Sequence, residues 1–155
     1  MSSFRRRSNR YVVRPKRNCD RHIRAGVIAM PNPATTYTGY VYTASSAQTV
    51  RSIKLDLGMA AGISTVSNQT VAYALVVVRE GYDANAITYP ATTTDMYNPT
   101  MDVLISGVLT DESVEDHKFN SIGRKLKQGD RLCLLVRSVW AESQCTFEMS
   151  FSVLT

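Results

Sequence analysis

The chain has 155 residues, the length of one domain, and its 18 Lys/Arg against 13 Asp/Glu leave a net charge of +5. That total divides unevenly: residues 1–24 carry nine Lys/Arg and one acid (+8), whereas residues 25–155 carry nine and twelve (−3). No run approaches the ~18 consecutive apolar residues of a membrane span, no hydrophobic stretch follows the basic start as in a secretory leader, and three cysteines are too few for a disulfide scaffold.

The first segment, MSSFRRRSNRYVVRPKRNCDRHIR, mixes Arg runs with Ser, Asn and Pro and has few large apolar residues. It cannot bury enough surface to offset its ordering entropy, so residues 1–24 are expected to form a disordered arm and residues 25–155 the folded domain. Beyond Arg24, short apolar runs alternate with turn residues. Gly26 to Met30 reads as a strand closed by Pro31-Asn32-Pro33, and Tyr37 to Ala44 as a second, rich in Thr and Tyr. From Val50 to Leu57 the pattern alternates: Ile53, Leu55 and Leu57 share one face, and Ser52, Lys54 and Asp56 the other, a strand with one wet side. Gly58 to Gln69 reads as a loop. The nearly continuous apolar run Val71 to Val78 predicts a strand buried on both faces, ended by Arg79-Glu80-Gly81.

A polar stretch containing Pro90 leads to another strand, Met101 to Leu109. Asp111 to His117 reads as a charged loop with room for one helical turn, and Gln128-Gly129-Asp130 as a turn. Leu132, Leu134 and Val136 then alternate against Arg131 and Arg137. In the last strand Phe147, Met149, Phe151 and Val153 oppose Thr146, Glu148, Ser150 and Ser152. No segment carries an apolar stripe of helical period over three turns. Many short strands between turns predict an all-β antiparallel sandwich or barrel, and a final strand running to Leu154 suits a single jelly roll, where it closes the fold beside the first long strand.

The basic arm is the strongest functional signal. Arg5, Arg6, Arg7, Arg10, Arg14, Lys16, Arg17, Arg21 and Arg24 are the candidate nucleic-acid-binding residues: guanidinium forks grip phosphates, and each neutralised phosphate releases a counterion. Phe4 and Tyr11 add rings able to stack on unpaired bases. The same cluster suits a nuclear-import signal. The acids Asp111, Glu112, Glu115 and Asp116, followed by His117, lack the spacing of a calcium loop or a zinc helix. They read as a solvated loop, or as one meeting a basic patch such as Lys118, Arg124, Lys125 and Lys127 on a neighbour.

Catalysis finds little support. There are two histidines, no nucleophile-elbow serine, no Gly-rich phosphate loop, and no metal-ligand spacing among Cys19, Cys133 and Cys145. The chain is therefore read as a non-enzyme with no catalytic residue, metal or cofactor, and the cysteines as free thiols, although Cys133 and Cys145 have the spacing to face each other on neighbouring strands. Tyr37, Tyr40, Tyr42 and Trp140 suit a core or a subunit interface.

The start RRRSNRYVVRPKR, the strand TVRSIKLDLG, the run VAYALVVVREG and the segment EDHKFNSIGRKLKQGDRLCLLVRS, in that order, resemble the capsid proteins of small circular Rep-encoding single-stranded DNA viruses, related to the coats of small plant satellite viruses. The resemblance runs through the whole chain, and its shortness implies short surface loops. It implies a single jelly-roll coat subunit that assembles with itself into a small icosahedral shell of about sixty copies. The arm would package single-stranded DNA; residue chemistry alone does not separate DNA from RNA. Expected locations are the virion and, during assembly, the host nucleus, reached through import machinery and without membrane insertion. The competing reading is a non-viral nucleic-acid-binding β-barrel module whose body reads bases. Removing residues 1–24 would separate the two, because a base-reading body keeps specific binding without the arm.

Overall fold

A computed structural model describes residues 18–32, 35–59, 70–82, 102–110, 115–138 and 143–155. The expectations placed on Phe4, Arg5, Arg6, Arg7, Arg10, Tyr11, Arg14, Lys16, Arg17, Pro90, Asp111, Glu112 and Trp140 lie outside these residues. Among the described residues there is no helix. Nine strands follow in order: β1 (Cys19–Met30), β2 (Thr36–Thr43), β3 (Gln48–Met59), β4 (Thr70–Val78), β5 (Asp102–Thr110), β6 (Glu115–Asn120), β7 (Arg124–Leu126), β8 (Arg131–Ser138) and β9 (Ser143–Leu154).

They form two antiparallel sheets, one in the order β1-β9-β3-β6 with β7 also on β3, the other in the order β2-β8-β4-β5. Because β6 and β7 pair with successive stretches of β3, they act as one interrupted strand. Each sheet is thus four strands wide, and the chain passes repeatedly between the layers. This is the double Greek key of a jelly roll. The terminal strand is the seam: β9 pairs with β1 over twelve consecutive positions, from Cys19 opposite Leu154 to Met30 opposite Ser143, and with β3 on its other side.

The alternation in β9 matches its burial, with Cys145, Phe147, Met149, Phe151 and Val153 all buried. Strand β4 is buried from Tyr73 to Val78 on both faces, as its continuous apolar run requires. Strand β8 departs from expectation. Instead of one wet face, every residue from Leu132 to Val136 is buried, because β8 is a central strand between β2 and β4 and its odd positions are the apolar Cys133 and Leu135. Cys133 and Cys145 are free and buried, one in each sheet, so they do not sit on neighbouring strands. Burial pushes both thiols up to about 11, which keeps them protonated near neutral pH.

Two further expectations are corrected. Strand β1 begins at Cys19, so residues 19–24 belong to the sheet rather than to a free arm; twelve pairings with β9 hold a segment whose own composition would not. The acidic stretch from Glu115 is strand β6, not a loop or helical turn.

The two long sides of the sandwich close differently. On the β1 side, His22 stacks on Phe151 (centroids 5.0 Å, planes 5° apart), and Tyr42 meets both rings edge-on at 5.1 and 5.2 Å. Gln48 Nε2 donates to the Tyr42 hydroxyl at 2.9 Å. On the β6 side the contacts are polar: the Tyr73 hydroxyl donates to Asp116, and Asn120 Nδ2 donates to the Leu104 carbonyl at 2.7 Å. Burial, then the Asp116 carboxylate, push the Tyr73 hydroxyl well above its ordinary pKa, so it remains a donor. Gly107 makes this possible. A Cβ there would lie 2.8 Å from the Asp116 carboxylate and closer still to the Tyr73 ring and hydroxyl.

At the end of the sandwich, the β7–β8 turn hangs on Asp130, which is 2% exposed. Its carboxylate accepts from Lys127 N (2.9 Å), Glu80 N (3.2 Å) and Arg79 Nη1 (2.7 Å), while Arg79 Nη2 reaches Asp102 at 2.6 Å. Gly129 occupies the left-handed region at φ 85°, as this tight turn needs. Burial alone would disfavour the Asp130 charge, but these donors outweigh it and hold the carboxyl below its usual range.

Gly107→Ala is expected to cost about 1–3 kcal/mol of stability in urea unfolding through overpacking against a buried ring, and less when Tyr73→Phe has removed the hydroxyl. Asp130, with its pKa depressed by folding, contributes stability that is present above the unfolded value of about 4 and lost as pH falls through the folded one. The stability gap between the wild type and Asp130→Asn, measured by denaturation across acid pH, should therefore narrow below about pH 4.

Candidate nucleic-acid interface

Of the nine arm cations singled out in the sequence, Arg21 and Arg24 lie among the described residues, both exposed on β1. Three residues apart in a strand, they project to opposite faces of the sheet. Arg24 Nη1 donates to the carbonyl of its neighbour Ile23 at 3.1 Å. Arg21 stands on the outward face of the β1-β9-β3-β6 sheet, opposite Ser152, which in turn lies opposite Arg51 of β3.

Following the register across that outward face gives its layout. Nearest the start of β1, Leu154 lies between Cys19 and Thr49, with Lys125 beyond. Then come Arg21, Ser152 and Arg51; next Ile23, Ser150, Lys54 and Phe119; next Ala25, Glu148, Asp56 and His117; then Val27, Thr146, Gly58 and Glu115, with Ala29 and Gln144 beyond. Charge is segregated along the strands. Arg21, Arg51, Lys54 and Lys125 occupy the half where the chain enters β1, and Asp56, Glu115 and Glu148 the other half. All four cations are exposed, and none forms an ion pair with a described residue.

Two irregularities shape the cationic half. Between Arg51 and Lys54 the β3–β9 register shifts, a bulge in which Arg51 and Ser52 are both exposed and Ser52 adopts φ 53°. A left-handed non-glycine residue costs conformational energy and persists only where its surroundings enforce it. The bulge also changes the strand's phase, so Gln48 and Val50 before it and Ile53, Leu55 and Leu57 after it all point inward. Opposite it, Ser121–Gly123 interrupt the pairing strand, and Asn120 Oδ1 accepts from Ile122 N at 2.8 Å to fix the break. Next to it stands Phe119, its ring outward and 62% exposed.

The acids noted in the sequence divide between faces. Asp116 turns inward to Tyr73, with Lys118 Nζ at 3.2 Å, so Lys118 is engaged within its own strand. His117 points outward, its Nδ1 at 2.8 Å from Asp56 and its Nε2 at 3.8 Å from Glu115. The hydrogen bond and charge of Asp56, with smaller contributions from Glu115 and Asp116, raise the His117 pKa above its ordinary value. Among the described residues no group of three His, Cys, Asp or Glu is placed to hold a metal ion. His22, assigned by sequence to the arm, is instead part of the aromatic closure on Phe151. Tyr37, Tyr40 and Tyr42 are half-buried against the core, with Tyr40 6.4 Å from Phe147. No described helix is long and apolar enough to cross a membrane.

Neither a family model nor a curated protein matches this sequence. Among solved structures, the chain has a weak match to a chain in "Structure of infectious bursal disease virus Gx strain", with a TM-score of 0.24 and 6% identity over 88% of this chain and 42% of that one. The present chain thus spans less than half the length of that neighbour, and a likeness of this degree carries no weight for function.

The His117 pair gives a direct check on the electrostatics of the face. An NMR titration should place the His117 pKa above 6.5, and Asp56→Asn should move it down toward that value. The pairing is fully present below 6.5 and fades as pH rises through the folded value.

Proposed function

We propose that this chain is a viral coat subunit: a jelly roll that assembles with copies of itself into a small icosahedral shell and packages single-stranded DNA through its arginine-rich arm. The observation that carries this reading is where the arm joins the fold. A strand of twelve residues, zipped to the C-terminal strand, begins directly after a segment holding seven of the chain's cations. A β-sandwich whose first strand follows directly on a cationic segment is what a shell needs to hold a polyanion on one side of its wall.

The charge balance supports the same reading. About sixty arms of roughly seven positive charges each would neutralise only part of a kilobase-scale genome, leaving counterions to cover the rest. The same charges repel one another in an empty shell, so assembly and packaging are coupled. Location in the virion follows from this function, and passage through the host nucleus from the import capacity of the basic cluster. No chemical step is assigned to the protein.

Negative-stain imaging of the purified full chain with single-stranded DNA should show closed, uniform particles that dissociate or empty as salt rises. Persistent monomer at high concentration, with and without DNA, would sink the proposal. The arm's share is best tested by Arg→Gln changes at Arg5, Arg6, Arg7, Arg10 and Arg14. Removing residues 1–24 would also delete half of β1 and its pairing with β9. The substituted chain should lose cargo and keep its contacts between subunits.

A further inference from the structure

The outward face of the β1-β9-β3-β6 sheet carries a feature that a strand-by-strand reading of the sequence does not reveal. No one strand interleaves several basic and aromatic residues, but the register does so across strands. Lys54 lies directly opposite Phe119, Arg51 stands across the bulge from Lys54, and Arg21 and Lys125 flank them. Neighbouring strands are about 4.8 Å apart and successive outward positions about 7 Å apart, so the cluster spans a few nucleotides.

From this arrangement we infer that the cationic half of the sheet face is a second nucleic-acid site, a stacking platform for single-stranded nucleic acid that continues the path begun by the arm. The inference rests on the arm's binding a nucleic acid and adds a site in the folded body. Phe119 offers an exposed ring to an unpaired base; Arg21, Arg51, Lys54 and Lys125 offer charge to the phosphates on either side. A duplex keeps its bases stacked internally and has no free face for Phe119, so the occupant is single-stranded.

Three observations support the assignment. The four cations have no anionic partner among the described residues, although three acids lie on the same face, held to its far half by the register. The bulge lets Arg51 and Lys54, three residues apart, share the outward face at the cost of a left-handed Ser52. Finally, the arm joins the sheet at the cationic end, where Cys19 is two residues from Arg21. A strand held by the arm is thereby delivered to this half of the face, and the acids Asp56, Glu115 and Glu148 repel it from the other.

The test is a fluorescence-polarisation titration of the full chain with a labelled oligothymidine about 20 nucleotides long, repeated over a salt series, with sedimentation velocity on the same samples. Arg51→Gln, Lys54→Gln and Lys125→Gln together should lower the slope of log K against log salt by about 2, since each single-strand phosphate contact contributes ~0.7. Phe119→Ala should weaken binding about 5- to 150-fold and Phe119→Trp should preserve it. Glu148→Gln, on the acidic half, should not weaken it. Unchanged affinity and slope in the face variants, with loss in an Arg5, Arg6, Arg7→Gln variant, would overturn the platform and leave the arm's role standing. No binding by the wild type would overturn both. If Phe119→Ala alters sedimentation without altering oligonucleotide affinity, or if a duplex binds as tightly as the single strand, the face is not a single-strand platform.

Discussion

The pairing of β9 with both β1 and β3 is the constraint on which the rest of the structure depends. It joins β9 to β1, the last and first of the described strands. It also places a twelve-residue strand in the middle of a sheet, where both its ladders are satisfied. Because side chains alternate with period two, one register sets the position of every inward residue from Cys145 to Val153 and every outward one from Gln144 to Ser152. A slip by one residue would carry Phe147, Met149 and Phe151 into solvent. The same register determines which outward residues of β1 and β3 face each other across β9. Core and surface pattern are therefore consequences of one pairing.

The sandwich uses two kinds of chemistry to close around that seam. The β1 side is sealed by rings, His22 on Phe151 with Tyr42 edge-on, and tolerates a histidine because its apolar faces are what is packed. The β6 side is sealed by hydrogen bonds, since the inward positions of β6 are Asp116, Lys118 and Asn120. Those polar groups are accommodated only because each finds a partner: Tyr73 for Asp116, Asp116 for Lys118, and the Leu104 carbonyl for Asn120. Gly107 leaves room for the first of these. An edge strand with one neighbour in its sheet can carry such a sequence; a central strand such as β4 cannot.

This difference explains what the sequence revealed. Strands β3, β4, β5 and β9 were readable because hydrophobic periodicity reports burial, and their burial is either one-sided or complete. In β8, Arg131 and Arg137 at the two ends imitate a wet face, while Cys133 and Leu135 between them are apolar and buried. Strand β6 reads as a loop because EDHKFN has no apolar alternation to find; its strand character comes from pairing with β3. The start of β1 resembles the arm for a similar reason. Its composition is that of a disordered segment, and β9, more than a hundred residues away, supplies its order. The cationic face was hidden because it is assembled across four strands, so no spacing within the chain encodes it.

The net charge of −3 on residues 25–155 describes the body poorly for the same reason. Charges sorted by register make a polarised face, positive where the arm joins and negative at the far end, and over distances shorter than about 10 Å that pattern matters more than the sum. On the proposed reading, tethering would strengthen it further: with arm cations engaged on a polyanion, a face reached through two residues of β1 would meet the same strand at high effective concentration, and weak contacts to Arg51, Lys54 and Phe119 would add to binding with little further entropic cost. Acids on the same face would limit how far such a strand travels, giving the proposed interaction an end as well as a beginning. An arm alone would bind any path the polyanion took; an arm fixed to a polarised sheet favours one.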